Sequence, residues 1–110
     1  MFKIVAAPTF CCAVNISVPG VEKPVALQVT FKHKTSRALA AWLLSSVDRT
    51  DDASYLAEVV ENIAGLADGE GQPLVYSRDV LAHLLDQFPA SGPEIVQAYR
   101  RQLADARAKN

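Results

Sequence analysis

Two prolines, Pro89 and Pro93, constrain this chain most, because they stand between two helical stripes. Before them, Val80, Leu81, Leu84, Leu85 and Phe88 recur at i, i+1, i+4, i+5 and i+8, one face of a 3.6-residue helix. Ser77 sits where a hydroxyl can accept from a free N–H of the first turn, and Asp79 adds negative charge at that positive end. Pro89 ends the stripe, since proline disfavours helical φ/ψ at the residue before it. Ala90–Gly92 is a short link. Pro93 suits the first helical position, where a missing N–H costs nothing, and Glu94 follows it. Ile95, Val96, Tyr99 and Leu103 share one face of this second helix, while Arg100, Arg101, Asp105, Arg107 and Lys109 lie mostly elsewhere. So short a link favours neighbouring helices packed face to face.

The beginning of the chain has a different period. Val14, Ile16 and Val18 alternate with Asn15 and Ser17; Val25, Leu27, Val29 and Phe31 alternate with polar positions as far as His33. Pro19-Gly20 marks a turn between them, so a β-hairpin follows, and Phe2–Val5 offers a third short strand. Neighbours on a strand point to opposite faces, so Cys11 and Cys12 are poorly placed to bridge each other. They read as small half-buried hydrophobes.

At Lys34 the period becomes helical. Thr35 or Ser36 can cap a helix running to about Val47, with Ala38, Leu39, Trp42, Leu43 and Val47 on one face. Residues 48–52 are a polar break. Tyr55, Leu56, Val59, Val60 and Ile63 then repeat the helical spacing, and Gly65 can end that helix with positive φ. Leu66–Pro73 is the clearest loop, of a composition that suits mobility but too short to link independent domains. The expected fold is α+β: an N-terminal antiparallel β-hairpin or three-stranded sheet, then four short packed helices. It is expected as one domain over 1–110, with 1–34 as the β part and 35–110 as the helical part.

Charge and motifs exclude more than they select. A net charge of −1 and a pI near 6.1 lack the basic excess that nucleic-acid or membrane-surface binding requires. No apolar run approaches the roughly 20 residues of a membrane span. Nucleophile elbow, phosphate-binding glycine loop and paired-histidine zinc motif are all missing from the sequence. His83 and Asp86 have the i,i+3 spacing of a solvated helix pair, and no nucleophile accompanies them. The acids of 48–52, Asp68 and Glu70 suit caps and turns. No enzyme, metal or cofactor is expected.

The stretch from Tyr76-Ser77 through Leu84-Leu85, Phe88-Pro89, Ile95 and Ala98-Tyr99 to Ala106-Arg107-Ala108-Lys109-Asn110 resembles the C-terminal part of a family of small phage tail assembly chaperones. A looser likeness reaches Phe31–Thr35 and Ala41-Trp42-Leu43. The family would place a tryptophan and a compact turn before Tyr76; this chain has Ala64-Gly65-Leu66 and the glycine-rich loop there. The resemblance implies a protein of long-tailed phages and prophages, encoded beside the tape measure gene. It would bind the tape measure protein in the host cytoplasm and keep it soluble while the tail tube polymerises. It would be absent from the mature virion, and a frameshifted extension would recruit the major tail (tube) protein. The alternative is a self-associating structural, minor tail or connector protein retained in the particle. Open hairpin edges point to a homo-oligomer under either reading. Trp42 and Tyr99 read first as core side chains, and Arg100 and Arg107 as complements of the C-terminal helix dipole; the same residues are the candidate anchors for a helical guest, Trp42 and Tyr99 at its centre and Arg100 and Arg107 on the rim.

Purified protein is expected to carry no stoichiometric metal or nucleotide. Native mass spectrometry checks this, and a bound mass at one equivalent would contradict it.

Overall fold

The computed structural model describes residue 4, residues 8–45 and residues 52–108, with side chains as far as Leu103. The expected strand at Phe2–Val5 lies outside the described residues except for Ile4, as do Val47 and the break at 48–51. Among the described residues the architecture is α+β, a three-stranded antiparallel sheet and four helices.

Strand β1 (Thr9–Ile16) pairs antiparallel with β2 (Val25–Lys32), from Thr9 opposite Lys32 to Ile16 opposite Val25. The alternation fixes the faces. Val14, Ile16, Leu27, Val29 and Phe31 are buried, whereas Asn15 and Gln28 are exposed. Cys11 is exposed on the outer face and Cys12 is half-buried on the inner one. Between the strands, the Val21 amide donates to the Val18 carbonyl at 3.0 Å across Pro19-Gly20, and Gly20 takes a φ of +82°. Proline then glycine at the two central positions is the type II turn, whose positive φ excludes most other residues.

Helix α1 (Ser36–Ser45) is capped by Thr35, whose Oγ1 accepts from the Ala38 amide at 3.2 Å. Helix α2 (Asp52–Ala57) is shorter than its spacing predicts. The expected helical face through Ile63 is broken, because Val60–Ala64 forms strand β3 on the far side of β2. This corrects the division of the chain into a β part and a wholly helical part after residue 34. The Val59 carbonyl accepts from Lys32 N at 2.7 Å and begins the ladder. A bulge follows: Thr30 faces Asn62 but Phe31 faces Val60, leaving Glu61 as the extra residue. One inserted residue lets Val60 and Ile63, three apart, both reach the buried face. A spacing of three is what a helix also shows. Gly65 has its positive φ of +86°, at the end of a strand rather than a helix.

Helix α3 (Arg78–Gln87) begins as read, with Ser77 Oγ accepting from the Val80 amide at 3.2 Å, and Phe88 caps its end ahead of Pro89. Helix α4 (Ser91–Ala108) starts two residues before Pro93. The Glu94 amide donates to the Ala90 carbonyl at 3.1 Å, so Pro93 occupies the first turn, where amides have no intrahelical partner anyway. Buried Ser91 donates its hydroxyl to the Phe88 carbonyl at 2.6 Å and closes the α3–α4 link. Glu94 then ties α4 to the sheet. Its carboxylate accepts from the Ser17 amide at 3.0 and 3.2 Å and from the Ser17 hydroxyl at 2.5 Å.

The core is centred on aromatic rings. Tyr99, fully buried on α4, stacks on Phe10 at 5.9 Å, packs on Phe31 at 5.0 Å and meets the Trp42 edge at 5.5 Å. Its hydroxyl donates to the Lys32 carbonyl at 2.8 Å. Trp42 stacks on Tyr55 at 4.3 Å and donates Nε1–H to the Tyr55 carbonyl at 2.9 Å. Burial pushes the Tyr99 phenol above its ordinary value.

Tyr99→Phe keeps the ring and loses one hydrogen bond, so it should cost about 1 kcal/mol. Tyr99→Ala should cost about 3–5 kcal/mol. Urea denaturation measures both. The folded chain holds this phenol neutral beyond pH about 10, where an unfolded tyrosine ionises. Its contribution to stability is therefore complete below that pH and is lost as pH rises through the higher folded value. Urea midpoints should fall above pH about 10, and less so in Tyr99→Phe.

Candidate functional site

The residues from Leu66 to Val75 do more than connect β3 to α3. Asp68 organises them: its amide donates to the Gln72 carbonyl at 2.9 Å, and its Oδ1 accepts from the Glu70 and Gln72 amides at 2.9 and 3.0 Å. Aspartate favours this position because its short carboxylate can satisfy amides a few residues ahead. Gly71 supplies a φ of +83° for the reversal, and the Leu74 amide donates to the Leu66 carbonyl at 2.9 Å. With Ala67 bridged to Pro73, the segment is a small closed hairpin.

This hairpin leans on α3 and leaves a cleft of about 360 Å³ between them. Leu66 and Leu74 line the hairpin side, and Val80, Leu84 and Phe88 line the helix side. His83, Gln87 and Asp68 are its polar lining. Two aliphatic side chains near it remain open to solvent: Leu74 is 37% and Val75 is 88% exposed. Leaving Val75 in water forgoes about 1.5 kcal/mol or more that burial would return. The hollow with these two aliphatics beside it is the candidate docking surface. Next to it, the Tyr76 phenol is raised by burial first and by the Glu61 carboxylate second. It is neutral at physiological pH.

Among the described residues no group of three or more His, Cys, Asp or Glu side chains is placed to hold a metal. His83 and Asp86 do not act as a pair. His83 lines the hairpin cleft, whereas Asp86 lines a different hollow beside Asp52, Ala53 and Leu85, on the other flank of α3. No described helix is long and apolar enough to cross a membrane.

The binding residues picked from the sequence fall in two places. Trp42 and Tyr99 come together in the core, 2% and 0% exposed, with their rings covered by other aromatics. Arg100 is exposed on α4; Arg107 is on the same helix, beyond the described side chains. Leu74 and Val75 are not among those residues, because they follow a polar loop and belong to no helical or strand stripe. Their signal was available: two aliphatics in a row between Pro73 and the helix cap, outside any periodic stripe.

A family model described as phage tail assembly chaperone matches residues 1–110. The chain belongs to that family. No curated protein and no solved structure matches it at a significant level.

His83→Ala should change stability by less than about 0.5 kcal/mol, as is usual for an exposed helix position without a partner. A denaturant titration measures it; a loss above about 2 kcal/mol would mean that His83 is structural.

Proposed function

We propose that this tail assembly chaperone binds the tape measure protein in the host cytoplasm and keeps it soluble until the tail tube has polymerised around it, then leaves before the virion is complete. The observation that carries this reading is the apolar cleft between α3 and the 66–75 hairpin, beside exposed Leu74 and Val75. Its volume lies near the low end of the roughly 300–1,000 Å³ of ligand sites. That suits one or two apolar side chains of a guest helix better than a cofactor. A long helical guest with an exposed apolar seam aggregates, and a binder of the free chain opposes this by mass action. Each buried leucine-sized anchor adds about 1.5–3 kcal/mol.

In this reading Trp42 and Tyr99 act from beneath, by holding α1, α2 and α4 on the sheet. Arg100 and Arg107 supply positive charge on α4 that steers an acidic guest segment. Self-association belongs to the same reading, as does a frameshifted longer form that recruits the tail-tube protein. The open edge of β1 also favours a second reading, a self-associating structural or connector protein that stays in the particle.

Co-expression with tape measure fragments, followed by affinity capture, tests the proposal. The unmutated chain should retain a fragment. Leu74→Asp combined with Val75→Asp should weaken capture by about tenfold or more while leaving the circular dichroism spectrum unchanged; tenfold is about 1.4 kcal/mol. Retention of no fragment at all would overturn the chaperone reading, and retention at full affinity by the double variant would overturn the site. Mass spectrometry of purified particles separates the two readings, because a chaperone is missing from them.

A further inference from the structure

Among the described residues, the sheet order β1-β2-β3 leaves β1 as an edge. Which of its backbone groups face outward follows from two hydrogen bonds. The Pro8 carbonyl accepts from the His33 amide at 2.9 Å, so position 8 points toward β2. In an antiparallel pair this alternates, so Phe10, Cys12, Val14 and Ile16 also bond to β2. Thr9, Cys11, Ala13 and Asn15 then aim their N–H and C=O groups away from the sheet. The Ser17 amide, next in that series, agrees: it points out to Glu94. No hydrogen bond within the described residues uses the backbone groups of Thr9, Cys11, Ala13 or Asn15.

Within the described strand this row is bounded. At one end Glu94 occupies the Ser17 amide, and at the other β1 begins at Thr9. The open window therefore runs from Thr9 to Asn15, and its midpoint is Cys12. Edge strands that stay single are usually guarded by charge, proline or a covering element. Thr9–Ile16 reads TFCCAVNI and holds no charged residue and no proline. Beside its later half, α4 leaves a channel of about 220 Å³, walled by Ala13 and Asn15 on one side and Gln97, Ala98 and Arg101 on the other.

We propose that β1 pairs with β1 of a second copy, antiparallel about a two-fold axis at Cys12, so that two three-stranded sheets become one continuous sheet. This deepens the self-association stated above and rests on it. Only this register uses the whole free window. It sets Thr9 opposite Asn15 of the second copy and Cys11 opposite Ala13, each exchanging the backbone hydrogen bonds now unmade. On the inner face it sets half-buried Phe10 against Val14 of the second copy. Cys12 meets its own equivalent in a non-hydrogen-bonded pair, where Cα atoms lie about 4.5 Å apart, within the range a disulfide can span. The second copy is the matching occupant because it has the same length of neutral strand and the complementary row of donors and acceptors.

Sedimentation at micromolar concentration should show a species of twice 11.9 kDa. Ala13→Pro removes an outward N–H that the β1–β2 ladder does not use, so it should give the monomer with an unchanged circular dichroism spectrum. Cross-linking decides independently, should that variant fold poorly. In Cys11→Ser treated with diamide, two Cys12 thiols give up two protons and two electrons to the diazene, forming one disulfide and a hydrazine. A covalent dimer should form readily there and at least tenfold more slowly in Cys12→Ser, where the remaining Cys11 residues are diagonal neighbours. A lone 11.9 kDa species, persistent dimer in a folded Ala13→Pro, or equal cross-linking of the two serine variants would each overturn the proposal. Guest capture by Ala13→Pro keeps the two ideas apart: failure of the edge pairing leaves capture intact, and failure of the chaperone reading leaves the dimer intact.

Discussion

The packing of the Tyr99 ring joins the helices to the sheet. One face meets Phe10 of β1, another contact is Phe31 of β2, and Trp42 of α1 closes the side. Through Trp42 the cluster reaches Tyr55 of α2. Aromatic pairs at these separations add about 0.5–1.5 kcal/mol each beyond the area they bury. The Tyr99 hydroxyl and the Trp42 indole N–H both donate to backbone carbonyls, so neither incurs the cost of an unpaired buried group. A sheet with one buried face needs a cover, and α4 lies along β1 with Glu94 and Tyr99 fastening it at two heights.

That arrangement explains what was legible beforehand. Period-two alternation in Val14, Ile16, Leu27, Val29 and Phe31 reports one buried face directly, and the caps at Thr35 and Ser77 follow from single hydroxyls at fixed offsets. Strand β3 was not legible, for a local reason. Without the bulge at Glu61, its buried residues would have been two apart; with it, Val60 and Ile63 imitate a helix. The β-branched residues Val59, Val60 and Ile63 were the opposing signal, and pairing with Lys32, Phe31 and Val29 made it decisive. Tertiary pairing overrode a periodicity that only a few residues supported.

The candidate site was illegible for a related reason. Hot spots favour tryptophan and tyrosine, but so do cores, and Trp42 and Tyr99 sit on helix faces that the sheet requires. A ring buried to 0–2% exposure cannot also offer its face to a guest without opening the core. Leu74 and Val75 have no such duty. They follow a closed hairpin whose order comes from Asp68 and Gly71, so the fold holds them in place without burying them. Partner-binding capacity collects where folding makes no demand on an apolar side chain.

The same reasoning separates the two surfaces in space. β1 is one edge of the sheet, while Leu66 and the cleft follow directly from β3 at the other. A pair joined through β1 would therefore carry its clefts beyond opposite outer edges, with five inter-strand spacings, about 24 Å, between those edges. Neither association would occlude the other. A guest long enough to reach both clefts would bind the second one intramolecularly, and such linkage raises avidity by about 10²–10⁴ without any new contact. A single small cleft would hold an anchor only weakly and release it easily. Under the proposed function, the same weak contact repeated along a long guest by paired copies would give tight coverage that could still be displaced one cleft at a time, as a polymerising tube advancing along the guest would require.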